Sequence, residues 1–202
     1  MHHLRNALGF VAFGLIALAV AWRFTIYAIH GLVLKRLFLN QGMRVADIGC
    51  GSGRLTARIA KQVGPNGDVV GIDVDPRALR AAEARANAGG ATNTRFILAG
   101  VGEGKLDRSR LDRVALVAVL GEIVNRDAAM AEIFQALKPG GMLSVTEVAL
   151  DPHRQSDGEV RRLAKAAGLV ERARFGNRLL FTINLVKPPQ VEPQDRAPSP
   201  NR

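Results

Sequence analysis

The sequence is short of cysteine, of aromatic residues and of acids, and each shortage excludes a class of protein. Cys50 is the single cysteine among 202 residues, so the chain has neither a disulfide framework nor a metal cluster built from cysteines alone. Aromatic residues make up 5%, little for the aromatic interleaving typical of single-strand nucleic-acid binders. The 28 Lys and Arg outnumber the 18 Asp and Glu, giving a net charge of +10. Anionic partners are therefore favoured, and an anionic membrane surface competes well with RNA.

The chain also lacks an uncharged run that clearly spans a bilayer. Residues 7–22 carry no charge, but a helix of that length extends about 24 Å against a hydrocarbon core of ~30 Å. Leu4 and a snorkelling Arg23 would lengthen it, and residues 24–34 are again mostly apolar. Three interpretations stay open: a membrane anchor, a signal peptide ending at the A-x-A sequence of residues 19–21, and an apolar helix packed on the domain or lying at an interface.

The anchor is the favoured interpretation, and it sets the predicted location. Arg23, Lys35 and Arg36 follow the apolar residues, so the positive-inside rule puts the rest of the chain in the cytoplasm. We expect membrane association through residues 7–34 with the globular domain in the cytoplasm. A soluble cytoplasmic protein is the alternative.

One stretch organises the remaining chain: an apolar run that closes on an acid and is followed by three alternating glycines. The residues are Asp47, Gly49, Gly51 and Gly53. They predict a strand, a tight turn and a helix start, where backbone N–H groups approach a ligand closely. A dinucleotide fingerprint needs a small residue where Arg54 stands, which disfavours a nicotinamide-dependent oxidoreductase. Cys50, inside the turn, is interpreted as small and packable rather than as a catalytic thiol.

A second acid closes the next predicted strand. Residues 64–67, Gly-Pro-Asn-Gly, are turn formers, and residues 68–73 form a short apolar strand that ends in Asp73. A carboxylate there can accept both hydroxyls of a ribose. Asp75 and Pro76 then predict an N-cap and the first position of a helix.

Strands and helices alternate along most of the chain, which predicts a doubly wound α/β fold. Predicted strands cover residues 44–48, 68–73, 95–99, 111–119 and 142–148, and predicted helices cover 24–38, 54–63, 77–87, 127–137 and 157–167. Residues 138–141 should stop the fourth of these helices. Residues 169–175 and 179–186 predict an antiparallel hairpin. We expect an N-terminal segment 1–38, a domain 39–187 and a disordered proline-rich tail 188–202.

Together these features resemble the class I S-adenosylmethionine (SAM)-dependent methyltransferases. The resemblance rests on Asp47-x-Gly49-x-Gly51-x-Gly53, Gly71-Ile72-Asp73 and Leu137-Lys138-Pro139-Gly140-Gly141, and on the terminal hairpin. Within the class, the chain is similar to the small methyltransferases of ubiquinone and menaquinone biosynthesis. The resemblance implies SAM as cofactor and a Rossmann-like seven-stranded sheet of order 3-2-1-4-5-7-6 with the last strand antiparallel, preceded by an N-terminal apolar helix.

The resemblance also assigns the residues of the cofactor site. We expect no metal ion in it. Residues of the glycine turn would lie along the methionine and ribose of SAM: Asp47, Gly49, Cys50, Gly51 and Gly53. Asp73 would hold the ribose hydroxyls, and Val74 and Asp75 would border the adenine. After strand three, the position where the family often has an acid is occupied here by Val101, which precedes Gly102. Glu103 or a backbone group would then replace it at the adenine.

The sulfonium of SAM is already activated, so the protein mainly aligns the acceptor with the methyl group. A base is needed only if the acceptor must lose a proton. Glu122 and His153, near the carboxyl ends of strands four and five, are the candidates, and Glu147 within strand five is a further carboxylate that could be structural.

The leading functional hypothesis is methylation of a small, hydrophobic or membrane-associated acceptor, because a membrane tether concentrates an enzyme near lipid-soluble substrates. Methylation of a protein or RNA is an alternative motivated by the +10 charge, although no Asn-Pro-Pro-Tyr-type motif follows strand four. A non-catalytic SAM-fold binding or scaffold protein is another, motivated by Val101 and the lack of a clear base.

Overall fold

The computed structural model describes residues 27–189, which form one seven-stranded sheet with helices on both faces. The strands are β1 (Arg44–Ile48), β2 (Asp68–Asp73), β3 (Thr94–Leu98), β4 (Leu111–Val117), β5 (Leu137–Val148), β6 (Val170–Gly176) and β7 (Leu180–Val186). The helices are α1 (27–37 among the described residues), α2 (Arg54–Val63), α3 (Pro76–Ala88), α4 (Arg126–Ala136) and α5 (Asp157–Ala166).

The sheet has the order β3-β2-β1-β4-β5-β7-β6, which confirms the predicted topology. The first five strands are parallel, and β7 is antiparallel to both β5 and β6. Successive connections run in opposite directions from β1, toward β2 on one side and toward β4 on the other. A crevice opens at the carboxyl ends of strands at such a switch point, and ligands of doubly wound sheets bind there.

Two apolar clusters sandwich the sheet. On one face, Val33 and Leu37 of α1 pack with Ile59 and Val63 of α2, all fully buried. On the other face, α4 and α5 cover the central strands with a larger cluster that includes Met130, Ile133, Leu143, Val145 and Leu163. Each such side chain stabilises the fold by about 1.5–3 kcal/mol. The rigid sheet therefore fixes the strand ends that carry the site.

Local signals set most helix starts. Asp75 Oδ1 accepts a hydrogen bond from Arg77 N (2.8 Å) with Pro76 as the first helical residue, as predicted. Ser156 Oγ accepts one from Glu159 N (3.1 Å) at the start of α5. The Glu159 carboxylate pairs with Arg162 instead of closing a capping box.

The structure corrects two predicted boundaries. Residues 138–141 follow the end of α4, as predicted, but β5 begins at Leu137 rather than at residue 142. These residues are the bulged start of β5, because Gly140 N donates to Lys187 O (2.9 Å) and Lys187 N donates to Gly141 O (3.0 Å). β4 ends at Val117 rather than at residue 119. Ala118 has a φ of 52°, in the left-handed region, which turns the chain out of the sheet into a short 3-10 turn, Leu120–Glu122.

Within residues 27–189, the helices are all too short or too polar to cross a membrane. The helix predicted over 24–38 is present over its described part, 27–37. Most of the predicted membrane segment and of the predicted tail lie in residues 1–26 and 190–202, outside the described residues, and stay predictions.

Candidate cofactor and acceptor site

The glycine turn is tied to the neighbouring strand by its backbone. Gly49 N and Cys50 N both donate to Ile72 O, at 2.8 and 3.0 Å. Gly49 has a φ of 68°, and a Cβ there would lie 2.1 Å from Cγ2 of Val119. Only glycine fits at this position, because any side chain would collide with the loop after β4.

The other two glycines of the turn serve different purposes. A Cβ at Gly53 would lie 2.8 Å from Cβ of Ala82, so this glycine lets the start of α2 pack closely on α3. At Gly51, with a φ of 53°, no heavy atom comes within 4 Å of the Cβ position. The space in front of Gly51 is open, and a ligand can approach the backbone there.

Two predicted cofactor residues are buried: Asp47 before the turn and Cys50 within it. Asp47 is 2% exposed and accepts a hydrogen bond from Thr56 Oγ1 (2.6 Å), while burial raises the pKa of its carboxyl to about 6. Burial, followed by the charges of Asp47 and Asp73, raises the pKa of the Cys50 thiol to about 12. A neutral buried thiol agrees with the interpretation of Cys50 as a packing residue. Asp47 fixes the first turn of α2 from below.

Asp73 faces the ligand side and is held in place by backbone donors. Its Oδ2 accepts from Gly51 N (2.8 Å) and its Oδ1 accepts from Asp75 N (2.9 Å). Each carboxylate oxygen keeps further lone pairs for a ligand. The geometry is that of a preorganised acceptor for two adjacent hydroxyls.

A cleft of about 380 Å³ opens beside Asp73 at the carboxyl ends of β1 to β4. Most of its walls are apolar, and six of the predicted site residues are among them: Gly49, Asp73, Val74, Val101, Gly102 and Glu122. Glu103 also lines the cleft, where the sequence expects a substitute for the missing acid. Asp47, Cys50, Gly51, Gly53 and His153 lie outside the lining residues. The cleft offers an apolar slot next to a fixed carboxylate, which suits an adenosine group.

Two residues that the sequence reasoning missed hold the cleft loops. Glu132 of α4 accepts hydrogen bonds from Gly102 N and from Leu106 N, the latter at 2.8 Å. Arg126 donates to Leu120 O (3.0 Å) and Gly121 O (2.8 Å). Glu132 acts across 30 and 26 positions, so no local sequence pattern reveals it. Arg126 contacts carbonyls only six and five positions away, in the turn before its own helix.

The two candidate bases come together where the loops after β4 and β5 meet, beside the cleft. Nδ1 of His153 lies 4.0 Å from Oε1 of Glu122, with side chains 60% and 59% exposed. A Cβ at Gly121 would lie 1.7 Å from His153 O, so Gly121 permits this approach of the two loops. The pair adjoins the cleft wall, with Glu122 on it and His153 next to it.

Glu147 does not reach the cleft. It is fully buried against the α5 face, its Oε2 accepts from Gln155 N (3.1 Å), and its Oε1 has no partner among the described residues. Burial, with Asp151 adding to it, raises the pKa of this carboxyl to about 7. Gln155 Nε2 in turn donates to His153 O (2.7 Å). Glu147 therefore supports the loop that carries His153.

The order of the sheet, the glycine turn, the carboxylate of Asp73 and the cleft beside it together define a class I SAM-dependent methyltransferase domain. Residues 39–179 match the family described as Methyltransferase domain. The chain belongs to this family, and SAM is its cofactor. The open space at Gly51, the backbone-held Asp73 and the apolar slot fit that cofactor.

Among curated relatives, the chain is 30% identical over 110 residues to the ubiquinone/menaquinone biosynthesis C-methyltransferase UbiE of Idiomarina loihiensis. The match covers 54% of this chain and 44% of that protein, so the chain spans less than half the length of this relative.

Two solved structures share the fold. A SAM-dependent methyltransferase from Aquifex aeolicus superposes with a TM-score of 0.71 at 23% identity, covering 78% of this chain and 89% of the other. SpnF, described as a [4+2]-cyclase, superposes with a TM-score of 0.72 at 20% identity, covering 81% of each chain.

Proposed function

We propose that the protein transfers the methyl group of SAM to a small apolar acceptor. The observation that carries this proposal is the character of the cleft next to the cofactor residues. Its acceptor side is formed by Val119, Ile123 and Val124, with Glu122 as its one acid. Such a surface favours an apolar ring or chain over a charged peptide or a phosphate backbone. The name of the UbiE relative, which refers to quinone biosynthesis, supports the same class of acceptor.

The residues of the chain have separate tasks in this reaction. Asp73 and the backbone at Gly51 hold the nucleoside, and the apolar walls exclude water from the acceptor. SAM supplies an activated methyl group, so alignment of the acceptor is the main demand on the protein. Where the acceptor atom carries an acidic proton, Glu122 and His153 are our candidates to receive it, and their 4.0 Å separation beside the cleft supports this role.

We further propose that the protein works at the cytoplasmic face of a membrane. The uncharged residues 7–22 and the basic residues that follow them support this location. Fractionation of cells without detergent tests it. The protein should sediment with membranes, and its recovery wholly in the soluble fraction would refute the location.

Transfer of a labelled methyl group tests the proposed reaction. The full chain is incubated with methyl-labelled SAM and, separately, with a lipid extract, water-soluble metabolites, protein and RNA from the same cells. Label should enter the lipid extract, and the Asp73→Ala variant should transfer much less. Label in protein or RNA alone would contradict the apolar acceptor. Binding of SAM without transfer to any fraction would favour a non-catalytic binding or scaffold role.

A further inference from the structure

Three large aliphatic side chains are exposed in the segments that follow β4 and β5 and that precede β7, at the carboxyl edge of the parallel strands. Val124 is 101% exposed, Leu150 is 72% exposed and Leu179 is 70% exposed. Val124 lines the cleft itself. We call these three residues the acceptor rim. Single exposed aliphatic residues are normal on a protein surface, whereas a group of them beside a ligand cleft marks an interaction surface.

The two leucines of the rim are held at one edge of the sheet. Leu150 follows β5, and Leu179 directly precedes β7. Because β7 runs antiparallel to β5, the end of β5 and the start of β7 are neighbours, and Ala149 N donates to Leu179 O (2.7 Å). This is the carboxyl edge of the parallel strands, where the cleft opens.

The start of α1 lies at the same edge. Nη1 of Arg58 donates to Tyr27 O (3.1 Å), and its guanidinium lies 4.4 Å from the centroid of the Tyr27 ring. Arg58 belongs to the second turn of α2, which begins directly after the glycine turn. At the other end of α1, Leu37 O accepts from Arg113 Nε (2.8 Å) near the start of β4. Tyr27, the first described residue, therefore lies on the cleft side of the domain.

The residues that precede Tyr27 and the charges near the rim both favour a lipid surface as the partner of the rim. Residues 7–22 carry no charge. Next to the rim, Arg178 is exposed, and Arg154 Nη2 donates to Arg178 O (2.9 Å). Exposed aliphatic tips beside a cation match the boundary between acyl chains and anionic headgroups.

We propose that the acceptor rim rests on an anionic lipid bilayer, so that an apolar acceptor enters the cleft directly from the membrane. The proposal rests on the proposed function for the nature of the acceptor. The contact between rim and bilayer is independent of turnover and can be measured without it.

The test uses the full chain with a fluorophore attached to a single introduced cysteine. Leu150→Cys and Leu179→Cys report on the rim. Val170→Cys is the matched control, because Val170 is 58% exposed but lies at the start of β6, at the opposite edge of the sheet. The native Cys50 is buried and is replaced by alanine in all variants. Vesicles contain phosphatidylcholine and phosphatidylglycerol with brominated acyl chains that quench the fluorophore on contact.

Quenching at positions 150 and 179 should exceed that at position 170 at least two-fold. Equal quenching at all three positions, or a full chain that does not bind these vesicles, would overturn the proposal. Methyl transfer to a lipid extract dispersed in detergent micelles separates the two proposals. Transfer without rim quenching leaves the proposed function intact, and rim quenching without transfer leaves the docking surface intact.

Discussion

The two halves of the sheet differ in how they build their part of the site. In the half from β1 to β3, the cofactor residues are held by backbone: Gly51 N and Asp75 N fix the carboxylate of Asp73. In the half from β4 to β7, the acceptor side is held by side chains that reach between loops, such as Glu147 through Gln155. The contacts of the cofactor half use main-chain donors, which most substitutions leave in place, whereas a single substitution can remove a side-chain contact of the acceptor half.

The largest expected effect separates two glycines of the cofactor half. Gly49→Ala places a methyl group 2.1 Å from Val119 in a left-handed backbone, so we expect the free energy of unfolding to fall by about 2–4 kcal/mol. Gly51→Ala meets open space, so we expect a loss of only about 1 kcal/mol together with strongly weakened SAM binding. Urea unfolding and calorimetry of both variants measure the contrast.

Equal destabilisation by the two substitutions would show that the glycines do not differ in role. Gly51→Ala binding SAM as tightly as the wild type would show that the open space in front of Gly51 is not used by the cofactor.

A smaller effect concerns turnover in the acceptor half. If the acceptor loses a proton in the reaction, Glu122→Gln and His153→Ala should each lower kcat by roughly 10²-fold, since a positioned base contributes about that much. The pair should act as a unit because its atoms are 4.0 Å apart, so the double variant should lose little more than either single one. SAM affinity, measured by calorimetry, should stay unchanged. Full turnover in both single variants would remove this pair as the base.

The third expected effect is on the pH dependence of stability. The pKa of Glu147 is raised by burial to about 7 from its ordinary 4.5, so the folded state holds a proton that the unfolded state releases at lower pH. The contribution of this group to the free energy of unfolding is therefore fully present below about pH 4.5 and is lost as the pH rises to about 7. Glu147→Gln should not show this loss. Between pH 4 and pH 8, the difference in free energy of unfolding between Glu147→Gln and the wild type should therefore shift by roughly 1–3 kcal/mol in favour of the variant.

Urea unfolding between pH 4 and 8 measures this difference. Asp47, whose pKa is raised to about 6, is present in both proteins, so its contribution cancels. Parallel stability profiles for the wild type and Glu147→Gln would contradict the raised pKa of Glu147.

The sequence predicted the cofactor half better than the acceptor half because the signals of the former are local. The bounds of β1, α2 and β2 agree with prediction to the residue, since the glycine turn and the Gly-Pro-Asn-Gly turn mark their ends. The sheet order came from the family resemblance, because periodicity does not specify which strands are neighbours. Five of the predicted cofactor residues line the cleft: Gly49, Asp73, Val74, Val101 and Gly102. The burial of Asp47 depends instead on α2, which packs above it.

The strands, the helices and the hairpin of the acceptor half were predicted, but the contacts that hold its loops were not, because they join distant parts of the chain. Glu132 reaches back to Gly102 across 30 positions, and Glu122 meets His153 across a whole strand and helix. The bulge that begins β5 depends on Lys187, at the far end of the last strand. No turn residue or hydrophobic period near these positions encodes such pairings.

The most direct test of the central claim is calorimetry of SAM binding to the wild type and to Asp73→Ala. We expect the folded wild type to bind SAM and the substitution to weaken binding at least ten-fold, because it removes a carboxylate held ready for the ribose. Asp68→Ala, which removes a half-exposed carboxylate at the amino end of the same strand and outside the cleft lining, is the matched control and should bind nearly as well as the wild type. A folded wild type that does not bind SAM, or an Asp73→Ala variant with unchanged affinity, would contradict the account.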